Sequence, residues 1–275
     1  MEPAMDGGTA TTRGFVPRWL VVPGILALAF LVLPLAALVA RVNWPTLWAD
    51  VTAPAARDAL ALSLTTGLIA TTACVLLGVP LALLIARSGP RLSAVLRAAV
   101  TVPLVLPPMV GGVALLFLLG RTSPIGSLLD AWWGLRLPFT TVAVVLAQTF
   151  VALPFLVLTV EGSLRTAGTA FERTAASLGA GRWYTLRRVT LPLAAPGLVA
   201  GVVLCFARAI GEFGATALFA GNAPGVTQTM PLAIYTAFNG AGVAQGTAVA
   251  LSLLLLVTAI AVLLLVRGWR PGAPR

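Results

Sequence analysis

Charged residues are missing from long stretches of this chain, and that absence limits its fold more than any other feature. Uncharged apolar runs cover Trp19–Ala40, Ala59–Ala86, Ala98–Gly120 and Phe139–Val160, and no charge appears between Glu212 and Arg267. A bilayer core takes about 20 apolar residues in helical form, so each run is long enough to cross. In lipid each backbone amide and carbonyl needs an internal partner, which leaves helices as the reading for runs of this length. Composition agrees: of 275 residues, 59 % are hydrophobic and 9 % charged. Soluble domains carry about 25 % charged residues. The mean hydropathy of +1.00 belongs to an integral membrane protein.

The expected fold is therefore all-α and membrane-embedded, with six spans near residues 19–40, 62–86, 98–120, 139–160, 195–218 and 247–266. Residues 1–18 and 267–275 are the flanking tails, and the membrane-embedded body fills 19–266. The first run is too long for a signal-peptide core, and no A-x-A site follows it, so it reads as a retained span. Trp44 and Trp48 suit a membrane interface, as do Trp132 and Trp133 in a loop with a short helix over Ile125–Trp132. A short segment, Met230–Phe238, precedes the last span.

Orientation follows from arginine. All 18 basic residues are Arg: Arg208 lies inside a run, Arg41, Arg57, Arg121 and Arg136 fall on one side, and the other thirteen fall with the termini and the loop 164–194. The positive-inside rule makes the termini and that loop cytoplasmic. The net charge of +10 is dispersed at run ends rather than gathered in a patch, which argues against nucleic acid as a partner.

Absent residue types exclude chemistry. Without Lys there is no Walker A sequence, so the chain is not itself a P-loop ATPase. Without His it lacks the commonest general base and a common metal ligand. Cys74 and Cys205 both lie in apolar runs and read as small buried hydrophobes. No enzyme activity, metal or cofactor is expected.

Residues 164–194 form the long polar interval between spans four and five. Two short helices fit it. Thr169 and Glu172 have capping-box spacing. Phe171, Ala175 and Leu178 then share one face. Gly179 suits a left-handed helix end. A second helix over Arg182–Val189 is expected to stop at Pro192. The result is a helix–turn–helix with an apolar ridge, a shape that docks into a groove on a partner.

Two features within the spans stand out. Pro103, Pro107, Pro108, Gly111 and Gly112 interrupt the third run, which predicts a span that is bent or locally broken there. Arg208 and Glu212 are four apart in the fifth span. Helical spacing places them on one face, as a neutral pair that fixes packing or as a pair facing a pathway, with Gly211 and Thr216 beside it.

The loop resembles the coupling loop of membrane subunits of binding-protein-dependent ABC importers. Gly179, nine following residues and Val189-Thr190-Leu191-Pro192 fit that family's pattern, and Ala175 fits its second alanine. Arg173 and Thr174 depart from the preferred Glu and Ala, and Glu172 stands one place early. Phe206–Thr216 is similar to the fifth-span signature of molybdate permeases, and Gly221–Ala237 to the segment before their last span. The resemblance implies a bacterial inner-membrane homodimer importing molybdate and tungstate. It also implies a cytoplasmic ATPase subunit docked on the loop and an extracytoplasmic molybdate-binding protein. Sulfate is the alternative cargo. An ion-coupled secondary transporter is the alternative class, but no clear internal repeat is visible, and Glu212 has Arg208 as a partner.

Overall fold

The computed structural model describes residues 18–240 and 245–267, and every regular element among them is helical. The tails read as 1–18 and 267–275 lie outside the described residues, apart from Arg18 and Arg267. The chain divides into two units, residues 1–42 and 43–275.

The first unit holds a 3-10 turn, Arg18–Leu20, and α1, Val21–Ala40, which fits the expected first span. The second unit begins with α2, Trp44–Thr52, which carries the two tryptophans read from sequence as interfacial. Helix α3 covers Pro54–Arg87, starting ahead of the expected span at 62 because Pro54 is suited to a first helical turn.

The third run is not one straight crossing. Helix α4, Pro90–Val105, and α5, Pro108–Leu119, meet at 111°. Leu106 precedes a proline and is extended (ψ 137), while Pro107 and Pro108 offer no amide to carry the helix on. Pro103 stays inside α4. Helix α6 spans Pro124–Trp133, where the sequence suggests a short helix over Ile125–Trp132, and ends at left-handed Gly134.

Helix α7, Thr141–Ala167, runs past the expected end at 160 into the polar interval. Helix α8 is Ala170–Ser177 and α9 is Arg182–Thr185. A π-turn over Leu186–Thr190 then leads directly into α10, Leu191–Ile210. The expected stop at Pro192 is corrected: Pro192 lies at the start of α10 inside a continuous helical run from Arg182 to Ile210, and the wider π-turn before it makes room for the ring. The helix expected over 195–218 is also broken: α10 stops at Ile210, residues 211–213 are non-helical, and α11 resumes over Gly214–Phe219. Helices α12, Met230–Asn239, and α13, Gln245–Arg267, complete the unit.

Helix α7 is the centre of packing, against α3 on one side and α10 on the other. Ala70, Cys74 and Ile85 of α3, Leu156, Val157 and Val160 of α7, and Cys205 and Ala209 of α10 share one buried cluster. Small side chains let the helices approach closely, which favours helix association in lipid. A second cluster joins α5, α7 and α11 through Leu115, Val144, Ala147, Ala215 and Phe219. A third joins α3, α12 and α13 through Ala56, Ala59, Met230, Ala233 and Leu251.

Four described helical stretches are long and apolar enough to cross a membrane: Val21–Ala40, Pro54–Arg87, Thr141–Ala167 and Arg182–Ile210. The bent pair α4–α5 makes a fifth if taken as one span.

Candidate functional site

Two places carry the chemistry-bearing residues: the loop around α8 and the helix break after Ile210.

In the loop, Gly168 (φ 68) ends α7 and Thr169 precedes α8. The capping box does not form, because the Thr169 side chain makes no cap hydrogen bond. Glu172 is used elsewhere. Its Oε1 accepts from Arg87 Nη2 at 2.8 Å and from Thr190 Oγ1 at 2.8 Å. A guanidinium is a stronger partner for a carboxylate than a backbone amide, which accounts for the turn away from the helix start. Arg87 also donates to Gly168 O at 3.1 Å and Leu164 O at 3.4 Å, satisfying carbonyls at the end of α7. Four elements thus meet at one carboxylate and one guanidinium: α3, α7, α8 and the π-turn before α10. Gly179 has φ 81, the left-handed conformation expected of it. The amide of Ala180 donates to Ala175 O at 3.0 Å, closing the helix end.

Among the described residues nothing covers the apolar ridge of α8. Phe171 is exposed and Leu178 is 83 % exposed, with Ala175 half-buried between them. Trp183 and Tyr184 of α9 are exposed too. Val189 lies in the π-turn. A shallow cleft of about 290 Å³ lies beside Glu172, Ala176, Ala180 and Arg182.

Next to the loop, buried Glu161 binds both Arg97 and Arg165, the latter at 2.6 Å, and Arg165 Nη2 donates to Ser93 Oγ at 2.7 Å. This fastens α4 to α7. The pairing of Glu161 with Arg165 is readable as an i, i+4 spacing. The roles of Arg87 and Arg97 carry no local signal, since their partners lie far along the chain.

At the break, Arg208 is in the last turn of α10, and Glu212 lies beyond the helix end rather than on the same helix face. The pair forms nonetheless, with Arg208 Nη2 2.6 Å from Glu212 Oε2. It is an ion pair by distance, without the alignment of a hydrogen bond. Glu212 is 1 % exposed, and its Oε1 accepts from Ala215 N at 2.7 Å, serving a free amide at the start of α11. Gly211 closes α10 at φ −85. Thr216 is buried in α11, its hydroxyl without a partner among the described residues. The span-three break comes to the same place: Pro108, Met109, Arg208, Gly211, Glu212, Phe213 and Gly214 line one cleft of about 260 Å³. Gly111 and Gly112 allow α5 to approach closely. A methyl on Gly112 would stand 2.8 Å from Ala215 O, and one on Gly111 2.9 Å from Phe150 Cε1. Pro103 is not among the residues lining this cleft. Gln148, to which the sequence gives no site role, is fully buried in α7, and neither of its amide atoms has a partner among the described residues.

Known proteins resemble the chain along most of its length. It is 52 % identical over 249 residues to the molybdenum transport system permease protein ModB of Mycobacterium bovis, covering 90 % of this chain and 93 % of that protein. It is 40 % identical over 243 residues to a probable molybdenum ABC transporter permease of Haloferax volcanii, covering 88 % and 86 %. Among solved structures, a bacterial ABC transporter involved in import of the acidic polysaccharide alginate shares the fold. The TM-score is 0.67 at 17 % identity, covering 90 % of this chain and 92 % of that one. The MetNI methionine ABC transporter matches at TM-score 0.59 and 19 % identity, over 82 % of this chain and 98 % of that one. Residues 78–271 match the family described as the binding-protein-dependent transport system inner membrane component. On the match over residues 78–271 and the 52 % identity over most of the chain, the chain belongs to the family of inner membrane components of binding-protein-dependent transport systems.

Proposed function

We propose that this chain is the membrane-spanning permease of an ABC importer that moves molybdate into the cytoplasm and carries tungstate as well. The observation that carries the reading is the 52 % identity to a molybdenum permease over 249 residues. Hydrolysis belongs to a separate ATPase subunit, since a chain without Lys has no Walker A lysine of its own. An extracytoplasmic binding protein supplies the oxyanion.

In this reading six spans cross the inner membrane, with α4–α5 counted as one and α13 as the last, and two copies of the chain enclose one pathway. The excess of arginine on the side of the loop supports cytoplasmic termini and a cytoplasmic α8. The exposed Phe171 and Leu178 are the ridge that enters the ATPase. Because Glu172 is fastened to Arg87 and Thr190, a push on α8 reaches the ends of α3 and α10. Access then switches between two packings whose balance the nucleotide state of the ATPase biases.

The test is uptake of labelled molybdate by cells lacking their own permease, supplied with this chain, its ATPase and its binding protein. Uptake competed by tungstate and not by sulfate is expected. Sulfate uptake without molybdate uptake moves the chain to the sulfate branch.

A further inference from the structure

Arg208 has donors that the protein does not use. A guanidinium carries five N–H groups. Among the described residues Arg208 has Glu212 Oε2 as its ion-pair partner and makes no aligned hydrogen bond. At membrane depth such a group is tolerated where it meets water or a polar ligand. The Arg208 side chain is 24 % exposed, and it lines the cleft of about 260 Å³. That space is far above the roughly 10–15 Å³ one water needs.

Both breaks in the helical backbone meet at this cleft. The break at Leu106–Pro107 brings in the first turn of α5, and the break at residues 211–213 brings in the start of α11. Gly214 lets them touch: a methyl there would stand 3.1 Å from Met109 N and from Pro108 Cβ. Pro107 and Pro108 have no amide, so Met109 is the first donor of α5 at this wall. Non-helical backbone at membrane depth is expected where it lines a polar cavity, and discontinuous helices are where transported ions are held.

We infer that this cleft is a transit site for a tetrahedral oxyanion, in which Arg208 pairs with the ion and Glu212 is the positioning residue that holds Arg208. The inference rests on the reading of the chain as an oxyanion permease. The planar fork of Arg208 offers two parallel donors to two oxygens of the ion. Glu212, anchored to Ala215 N, aims the guanidinium and keeps the empty site formally neutral. Its charge also weakens the hold on a dianion, as conduction requires of any site that must release what it binds.

The experiment uses the complete transporter in proteoliposomes, with the chain, its ATPase and its loaded binding protein. Labelled molybdate uptake and ATP hydrolysis are recorded in the same vesicles. Arg208→Gln is expected to lose uptake roughly tenfold or more, the scale of one lost charge-assisted hydrogen bond, while stimulated hydrolysis stays near wild type. Arg208→Lys keeps the charge but not the fork, and is expected to give intermediate uptake with normal hydrolysis. It also keeps the test readable where the Gln variant fails to assemble. Uptake and hydrolysis falling in parallel in the assembled variants would make Arg208 structural and overturn the site, as would unchanged uptake in Arg208→Gln. The wild-type arm separates the two claims: vesicles that take up sulfate and not molybdate overturn the molybdate reading, and the Arg208 variants are then scored on sulfate. Wild-type vesicles that carry neither ion overturn both.

Discussion

Arg87 Nη2 lies 2.8 Å from Glu172 Oε1 and joins the last turn of α3 to the short helix α8. Both side chains are about one quarter exposed, so the pair is partly screened by solvent, and its worth lies in geometry more than in raw stability. Arg87 also holds two carbonyls at the end of α7, so one side chain sets α8 against two long helices.

Arg87→Gln should leave the protein in the membrane and loosen α8. A loss on the order of 1 kcal/mol in that contact corresponds to roughly a fivefold fall in coupled uptake. Combined with Glu172→Gln, the double variant should fall little further than either single one, because both remove the same contact. Uptake and ATP hydrolysis in reconstituted vesicles measure this, and additive losses would show that the residues act independently.

Gly179→Val should misplace the turn after α8. The backbone there has φ 81, a conformation that costs a branched side chain about 1–2 kcal/mol or more. Reduced co-purification of the ATPase with an otherwise folded membrane subunit is the expected readout. Full attachment and normal transport would remove this turn from the coupling route.

Glu161→Gln tests the buried carboxylate that binds Arg97 and Arg165. Hydrogen bonds to a charged group contribute about 1.5–3 kcal/mol, and the half-exposed arginines recover part of the loss from water. A lower melting temperature of the detergent-solubilised protein is expected; an unchanged one means that the α4–α7 contact does not depend on this charge.

Gly225→Cys tests orientation. Gly225 lies in an exposed turn between α11 and α12. The native Cys74 and Cys205 are both fully buried and should stay silent. An impermeant thiol reagent should label the variant from outside intact cells. Labelling that needs opened membranes would reverse the topology.

The apolar runs made the helical class readable, because a missing charge over some 20 residues is a strong signal in a membrane chain. Gly179 was readable for a similar reason, since few residues accept its backbone angles. The errors have local causes. Pro192 looked like a stop, but a π-turn supplied the room it needed. Thr169 and Glu172 matched a capping pattern, but a more distant arginine was the better partner for the carboxylate. Arg208 and Glu212 had helical spacing and do pair, although the helix ends between them. Pairs such as Arg87–Glu172 and Arg97–Glu161 depend on tertiary packing that a single sequence does not reveal.

The most direct test of the account is accumulation of labelled molybdate in vesicles that hold the chain with its ATPase and binding protein. These are compared with identical vesicles whose ATPase binds but does not hydrolyse ATP. The account predicts accumulation against a gradient in the first set and none in the second. Accumulation that persists without hydrolysis would contradict it and point to an ion-coupled transporter.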